Sequence, residues 1–242
     1  MRLFLLVFIT FFSNYAIAQV ATQNKAEKVA TAPPKKKVLT TSRDRFSINM
    51  NIDNFHNKPD SIKVKWYSRG FEMYLMYDRQ LGKSRFSVAP GVGIGINNYY
   101  TNSIVVKDST NKTILSEIPT GLSYKRNKMN IVYADVPIEL RYRSKPDLNG
   151  NSIKVAVGVR LGYLLNSHVK YRGTDYTALD RGTITEKLIT IQNLSTLRYG
   201  LTARVGYSVV SLQFYYGLNP LFQLNRGPAM YPFSVGISFN GF

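Results

Sequence analysis

From residue 45 onward, apolar and polar positions alternate with a period of two. Ile153, Val155, Val157, Val159, Leu161, Tyr163 and Leu165 fall on one face of an extended chain, and Lys154, Ala156, Gly158, Arg160 and Gly162 fall on the other. Leu197 to Val209 repeats the pattern, with Arg198, Gly200, Thr202, Arg204, Gly206 and Ser208 opposite the apolar row. A helix cannot place every second residue on one face, whereas a strand does so by construction. The same alternation occurs over residues 46–53, 71–78, 86–96, 132–143, 212–218 and 231–240, so the pattern predicts eight strands.

Each segment is about as long as a tilted membrane strand needs to be. A soluble barrel with its apolar row inside would give the same period, so alternation alone leaves the choice open. Three features favour the membrane. Small residues and ions of both signs stand opposite the apolar rows, which suits the crowded lumen of an eight-stranded barrel. Tyr77, Tyr99, Tyr100, Tyr142, Tyr163, Tyr207 and Tyr231 lie near segment ends, where interfacial aromatics belong. The connections also alternate in length: residues 81–85, 144–152 and 208–211 are short, while 54–69, 100–128, 166–196 and 219–229 are long. Short turns on one side and long loops on the other describe an outer-membrane barrel with its N-terminus in the periplasm. The expected fold is therefore all-β, an eight-stranded antiparallel transmembrane barrel over residues 45–242. Pro90 sits mid-segment, where its missing N–H predicts a bulge or a shifted boundary. Phe242, a terminal aromatic, is out of phase with Ile237 and Phe239, so a bend at Gly241 is expected.

The N-terminus explains how the chain reaches that membrane. Arg2, the apolar run Leu3–Phe12 and Ala16-Ile17-Ala18 form a secretory signal cleaved after Ala18. Ser13-Asn14 ends the run short of the roughly 18–20 residues of a membrane helix. Residues 19–44 follow as a basic arm with Pro33-Pro34 at its centre and too little apolar surface to order itself. Its Lys25, Lys28, Lys35, Lys36 and Lys37 are candidates to dock on lipid headgroups or on an acidic partner.

Composition narrows the function. The chain of 242 residues carries 32 Lys and Arg against 14 Asp and Glu, a formal charge of +18. Nucleic acid is the usual partner of such a charge, but export argues against it. With no cysteine, a disulfide framework, a thiolate metal site, a Cys nucleophile and a lipoprotein anchor are all excluded. Two histidines, His56 and His168, leave little for a metal or a catalytic triad, and both fall in expected outer loops. Asp53 near His56, and Ser167 beside His168, are the only pairings on offer. No cofactor or metal is expected. Gly91-Val92-Gly93-Ile94-Gly95 looks like a nucleotide loop but lies inside a strand with no helix after it. Its expected role is to thin the wall where bulky lumen side chains press.

The remaining polar residues point inward as a structural set. Glu72, Asp78, Asp135, Glu139, Arg141, Lys154, Arg160, Arg198 and Arg204 are expected to form an ion network that fills the lumen, because unpaired buried charges are very costly. In the long connections, Ile104–Val106 and Thr113–Leu115 flank Asp108-Ser109-Thr110-Asn111 as a hairpin, and residues 183–185 and 188–191 look like strand extensions. Lys107, Lys112, Lys125, Arg126, Lys128, Lys170, Arg172 and Arg181 are expected in these outer loops, either simply solvated or in contact with a partner or the acidic sugars of the outer leaflet.

Met129-Asn130-Ile131-Val132-Tyr133-Ala134-Asp135-Val136-Pro137-Ile138-Glu139-Leu140-Arg141-Tyr142-Arg143 resembles the strand motif of the PorT-type outer-membrane β-barrel proteins of Bacteroidetes. The resemblance extends over residues 45–242. It implies an accessory, non-enzymatic subunit of an envelope machine, serving type IX protein secretion or outer-membrane protein assembly. Its implied partners are membrane lipids and other proteins of a membrane complex. A free-standing small porin or surface-binding barrel is the alternative, and a membrane enzyme a distant third.

Overall fold

The computed structural model describes residues 45–175, 182–188 and 190–241. The expected signal peptide (1–18), the expected basic arm with Lys25, Lys28, Lys35, Lys36 and Lys37, Arg181 and Phe242 lie outside the described residues. Among the described residues twelve strands follow one another: β1 Phe46–His56, β2 Arg69–Met76, β3 Arg79–Gln80, β4 Phe86–Tyr100, β5 Ser103–Lys107, β6 Thr113–Glu117, β7 Tyr124–Arg143, β8 Ile153–Thr174, β9 Thr183–Leu188, β10 Leu197–Tyr207, β11 Val210–Gly217 and β12 Tyr231–Gly241.

Eight of them close a ring. The order β1-β2-β4-β7-β8-β10-β11-β12 returns to β1, every neighbour antiparallel. Closure removes every sheet edge in the ring, the condition for a sheet to cross a bilayer. The alternation then decides which row meets lipid. Apolar side chains such as Leu75, Val92, Val157, Leu201, Leu212 and Ile237 are exposed on the outside, while Glu72, Asp135, Arg160 and Arg198 are buried within. A soluble barrel would invert this.

Turn chemistry sets the short end. Gly82, Gly150 and Ser208 take positive φ in the connections after β3, β7 and β10. The first two are glycines, for which that conformation carries no side-chain penalty. The long end is more ordered than the pattern foretold. β4 runs on to Tyr100, β7 starts at Tyr124 and β8 reaches Thr174, so much of 100–128 and 166–196 is strand rather than loop. At 20 and 22 residues, β7 and β8 far exceed the roughly 9–11 a membrane crossing needs. Their upper halves therefore rise beyond the bilayer. His56 and His168 correspondingly close β1 and lie within β8, not in loops. β5 and β6 form the expected hairpin, with Asn111 at positive φ, and β9 pairs with the upper part of β8. The second expected extension, 188–191, contributes only Leu188 to a strand among the described residues.

Pro90 corrects another expectation. No bulge forms: Pro90 pairs with Ile138 in the same register that joins Gly93 to Asp135. Its effect falls on the neighbouring strand instead. The Pro90 carbonyl accepts the Tyr77 N–H at 2.7 Å, but proline has no N–H to return. The ladder breaks at Tyr77 and Asp78 and resumes in unchanged register as β3.

Candidate functional site

The inner rows of the eight strands meet in the lumen, and all nine predicted inward residues line it. Nearest the short turns, Asp78 accepts from Arg141 at 3.5 Å and Arg143 at 3.3 Å. Arg141 Nε also donates to Glu139 at 2.8 Å, and Glu139 is shared with Arg204. Arg204 further donates to Ser47, Ser238 and Asn240, which line up on β1 and β12. Lys154 faces this end of the lumen beside Arg141, Arg204, Ser211 and Asn240.

Midway, Arg160 forks onto Glu72 through two parallel bonds of 2.5 and 2.9 Å. Asn49 and Gln213 donate to the same carboxylate at 3.0 and 2.9 Å. Higher still, Arg198 forks onto Asp135 at 3.1 and 2.6 Å, with Tyr74 donating to Asp135 and Asn97 accepting from Arg198. Bidentate geometry with every carboxylate oxygen engaged is what makes buried charge tolerable. Glu72–Arg160 reaches across the lumen from β2 to β8, whereas Asp135 of β7 and Arg198 of β10 meet over Gly162 of β8, which registers opposite both. Arg160 lies 4.6 Å from the Tyr215 ring centroid, and Arg198 lies 4.0 Å from that of Tyr133.

The Gly-rich strand does what its spacing implied. A Cβ on Gly95 would stand 2.6 Å from Arg198 Nη2 and 2.7 Å from Asp135 Oδ2, and Gly93 and Gly91 likewise give room to Tyr74 and Met76. Gly162 clears the other flank of the same pair.

Several residues that matter were not assigned to this network by sequence. Asp53, read there only as a neighbour of His56, is fully buried and accepts from Asn97 at 2.8 Å and Ser234 at 2.7 Å. Asn49, Asn97, Tyr74, Arg143, Gln213 and Tyr215 complete the network. The signal was available, since they stand on the same period-two rows as the charges. Above Asp53 the inner row turns apolar. Phe55, Tyr99, Met129, Ile131, Tyr133 and Val169 from the strands pack with Ile191, Leu194, Leu221, Phe222 and Met230 from the long connections. The β5–β6 hairpin is tied to this cap: the Thr113 N–H donates to the Arg226 carbonyl at 2.8 Å, and Asn193 donates to the Asn111 carbonyl at 2.9 Å. The lumen is thus filled with ion pairs below and closed by a hydrophobic plug above.

The sequence-level pairings around histidine dissolve. Asp53 points in and His56 out; Ser167 points in, accepting the Ile191 N–H at 3.1 Å, and His168 points out. Among the described residues no cluster of three or more acidic or histidine side chains is placed to hold a metal.

A family model described as outer membrane protein beta-barrel domain matches residues 21–223. The match ends before β12, the strand that closes the ring against β1. Comparison with curated proteins and with solved structures found no match.

Proposed function

The chain belongs to the family of outer-membrane β-barrel proteins, and from that premise we propose that it is a non-conducting, non-catalytic accessory subunit of an envelope machine. The observation that carries this reading is the filled lumen. Side chains occupy it from Asp78 at the short-turn end to Phe222 in the cap. An eight-stranded barrel has room for little else, so this protein's working surfaces are its outside. They are the lipid-facing band, the short-turn end, and the extension formed by β7, β8, β9 and the β5–β6 hairpin. The same filling weighs against the free-standing porin.

The machine we propose is one of protein secretion, of the type IX kind, or of outer-membrane protein assembly. The support for it is the motif from Tyr133 to Tyr142, which resembles the PorT-type strand. Export by a signal cleaved after Ala18 belongs to the same proposal. Affinity purification from native membranes in mild detergent tests it. A secretion or assembly subunit should accompany the barrel in stoichiometric amount. A clean monomer would contradict the accessory role.

A further inference from the structure

Above the membrane the outer faces of β7, β8 and β9 are basic. Register places Lys128 opposite Lys170 and Lys170 opposite Lys187, and one step farther Arg126 opposite Arg172. Side chains directly opposite on one sheet face have Cβ atoms about 4.5–5.5 Å apart, and like charges there repel. His168 lies on the same face one step below. Among the described residues none of these five cations is in an ion pair, and the outward positions of these strands hold no carboxylate. The Lys128 ammonium donates only to the neutral Asn98 side chain at 3.0 Å. Partial burial, then Arg126 and Lys170, hold the Lys128 ammonium below its ordinary pKa, and burial, then Lys187, Lys128 and Lys170, do the same for His168. A cluster that repels itself this way is an anion site by its chemistry.

Its height says which anion. The rows continue the lipid-facing rows of the same strands: Val132 leads to Asn130 and Lys128, and Leu165 to Asn166, His168 and Lys170. Four residues at about 3.3 Å each, on a strand tilted by some 40°, lift Lys128 roughly 10 Å above the last apolar position. The headgroup layer begins at the hydrocarbon edge and is roughly 5–8 Å deep. Long lysine side chains lean back into it. Trp66, the chain's one tryptophan, is 79% exposed beside this level, next to Tyr67, whose ring lies 5.1 Å from that of Tyr100. Tyr100 is itself opposite Lys128. Exposed aromatics at that height mark the interface.

We propose that Arg126, Lys128, Lys170, Arg172 and Lys187 form a binding site for the phosphate groups of an outer-leaflet lipid, seated against the outer wall of β7–β9. The reading rests on the outer-membrane placement but not on the accessory role. The test titrates the purified full protein in non-ionic detergent with bis-phosphorylated lipid A and reads binding by native mass spectrometry. K128Q/K170Q/K187Q should bind at least about tenfold more weakly than the wild type. A control, R79Q/K83Q/K145Q at the short-turn end, should bind as the wild type does, and dephosphorylated lipid A should bind to none of them. Without lipid, the triple variant should melt no lower than the wild type, because the substitution relieves repulsion. Should it fail to fold, K170Q alone is expected to lose about fivefold. Equal binding by the wild type and the folded variant, or equally tight binding of the dephosphorylated lipid, would overturn the site. Failure of the partner pull-down would leave this result untouched.

Discussion

Replacing Arg160 with Met should cost the barrel about 3–5 kcal/mol, the loss expected when one partner of a buried ion pair is removed. Glu72 is fully buried and takes two of its four hydrogen bonds from the Arg160 guanidinium. Asn49 and Gln213 remain, but neither carries charge. The guanidinium also fills the space between the Tyr74 and Tyr215 rings, 5.2 and 4.6 Å from their centroids, and methionine keeps only part of that packing. Denaturant unfolding in micelles, followed by the loss of the heat-modifiable gel shift, measures the change. The double variant E72L/R160M should recover most of it, since replacing a whole buried pair by apolar groups is often neutral or better. An unchanged midpoint for R160M alone would mean that Arg160 does not face the lumen.

Gly162→Val is expected to be comparably severe, by a different route. The added Cβ would stand 2.7 Å from Arg198 Cγ and 2.8 Å from its Nε, and would press on Asp135 Oδ1. These atoms belong to the stem and root of a clamped side chain, so Arg198 cannot swing aside without leaving Asp135. Overpacking of about 1–3 kcal/mol then adds to a broken buried pair, for a total of at least about 3 kcal/mol. Adjacent Leu161 points to lipid and is half exposed, so Leu161→Val should shift the same midpoint by less than about 1 kcal/mol. A G162V barrel as stable as the wild type would show that the Asp135–Arg198 pair has slack around it.

The residues explain which parts of this could be read from sequence. The lumen charges were legible because each stands opposite an apolar row, and a strand admits only two faces. Which acid meets which base was not, because Glu72–Arg160 and Asp135–Arg198 join strands whose relative stagger no local pattern records. The upper strands were missed for two physical reasons. Past the membrane the pattern inverts: Lys128 and Asn130 now face out, and Met129 and Ile131 face in to the cap. In β8 the register also shifts at Leu165, where Tyr133 pairs with Leu164 and Val132 with Asn166. This bulge moves the inward face from even to odd positions, and a period-two reading ends there. Pro90 was misjudged because its missing hydrogen bond was charged to its own strand, whereas the break appears across the ladder at Tyr77.

The filled lumen is the claim on which the functional reading stands, and ion conduction tests it most directly. Planar bilayers containing the protein purified from outer membranes should stay electrically silent, because among the described residues ion pairs and the Phe222 cluster occupy the lumen. Stable, ion-selective open steps from the same preparation would contradict a plugged barrel.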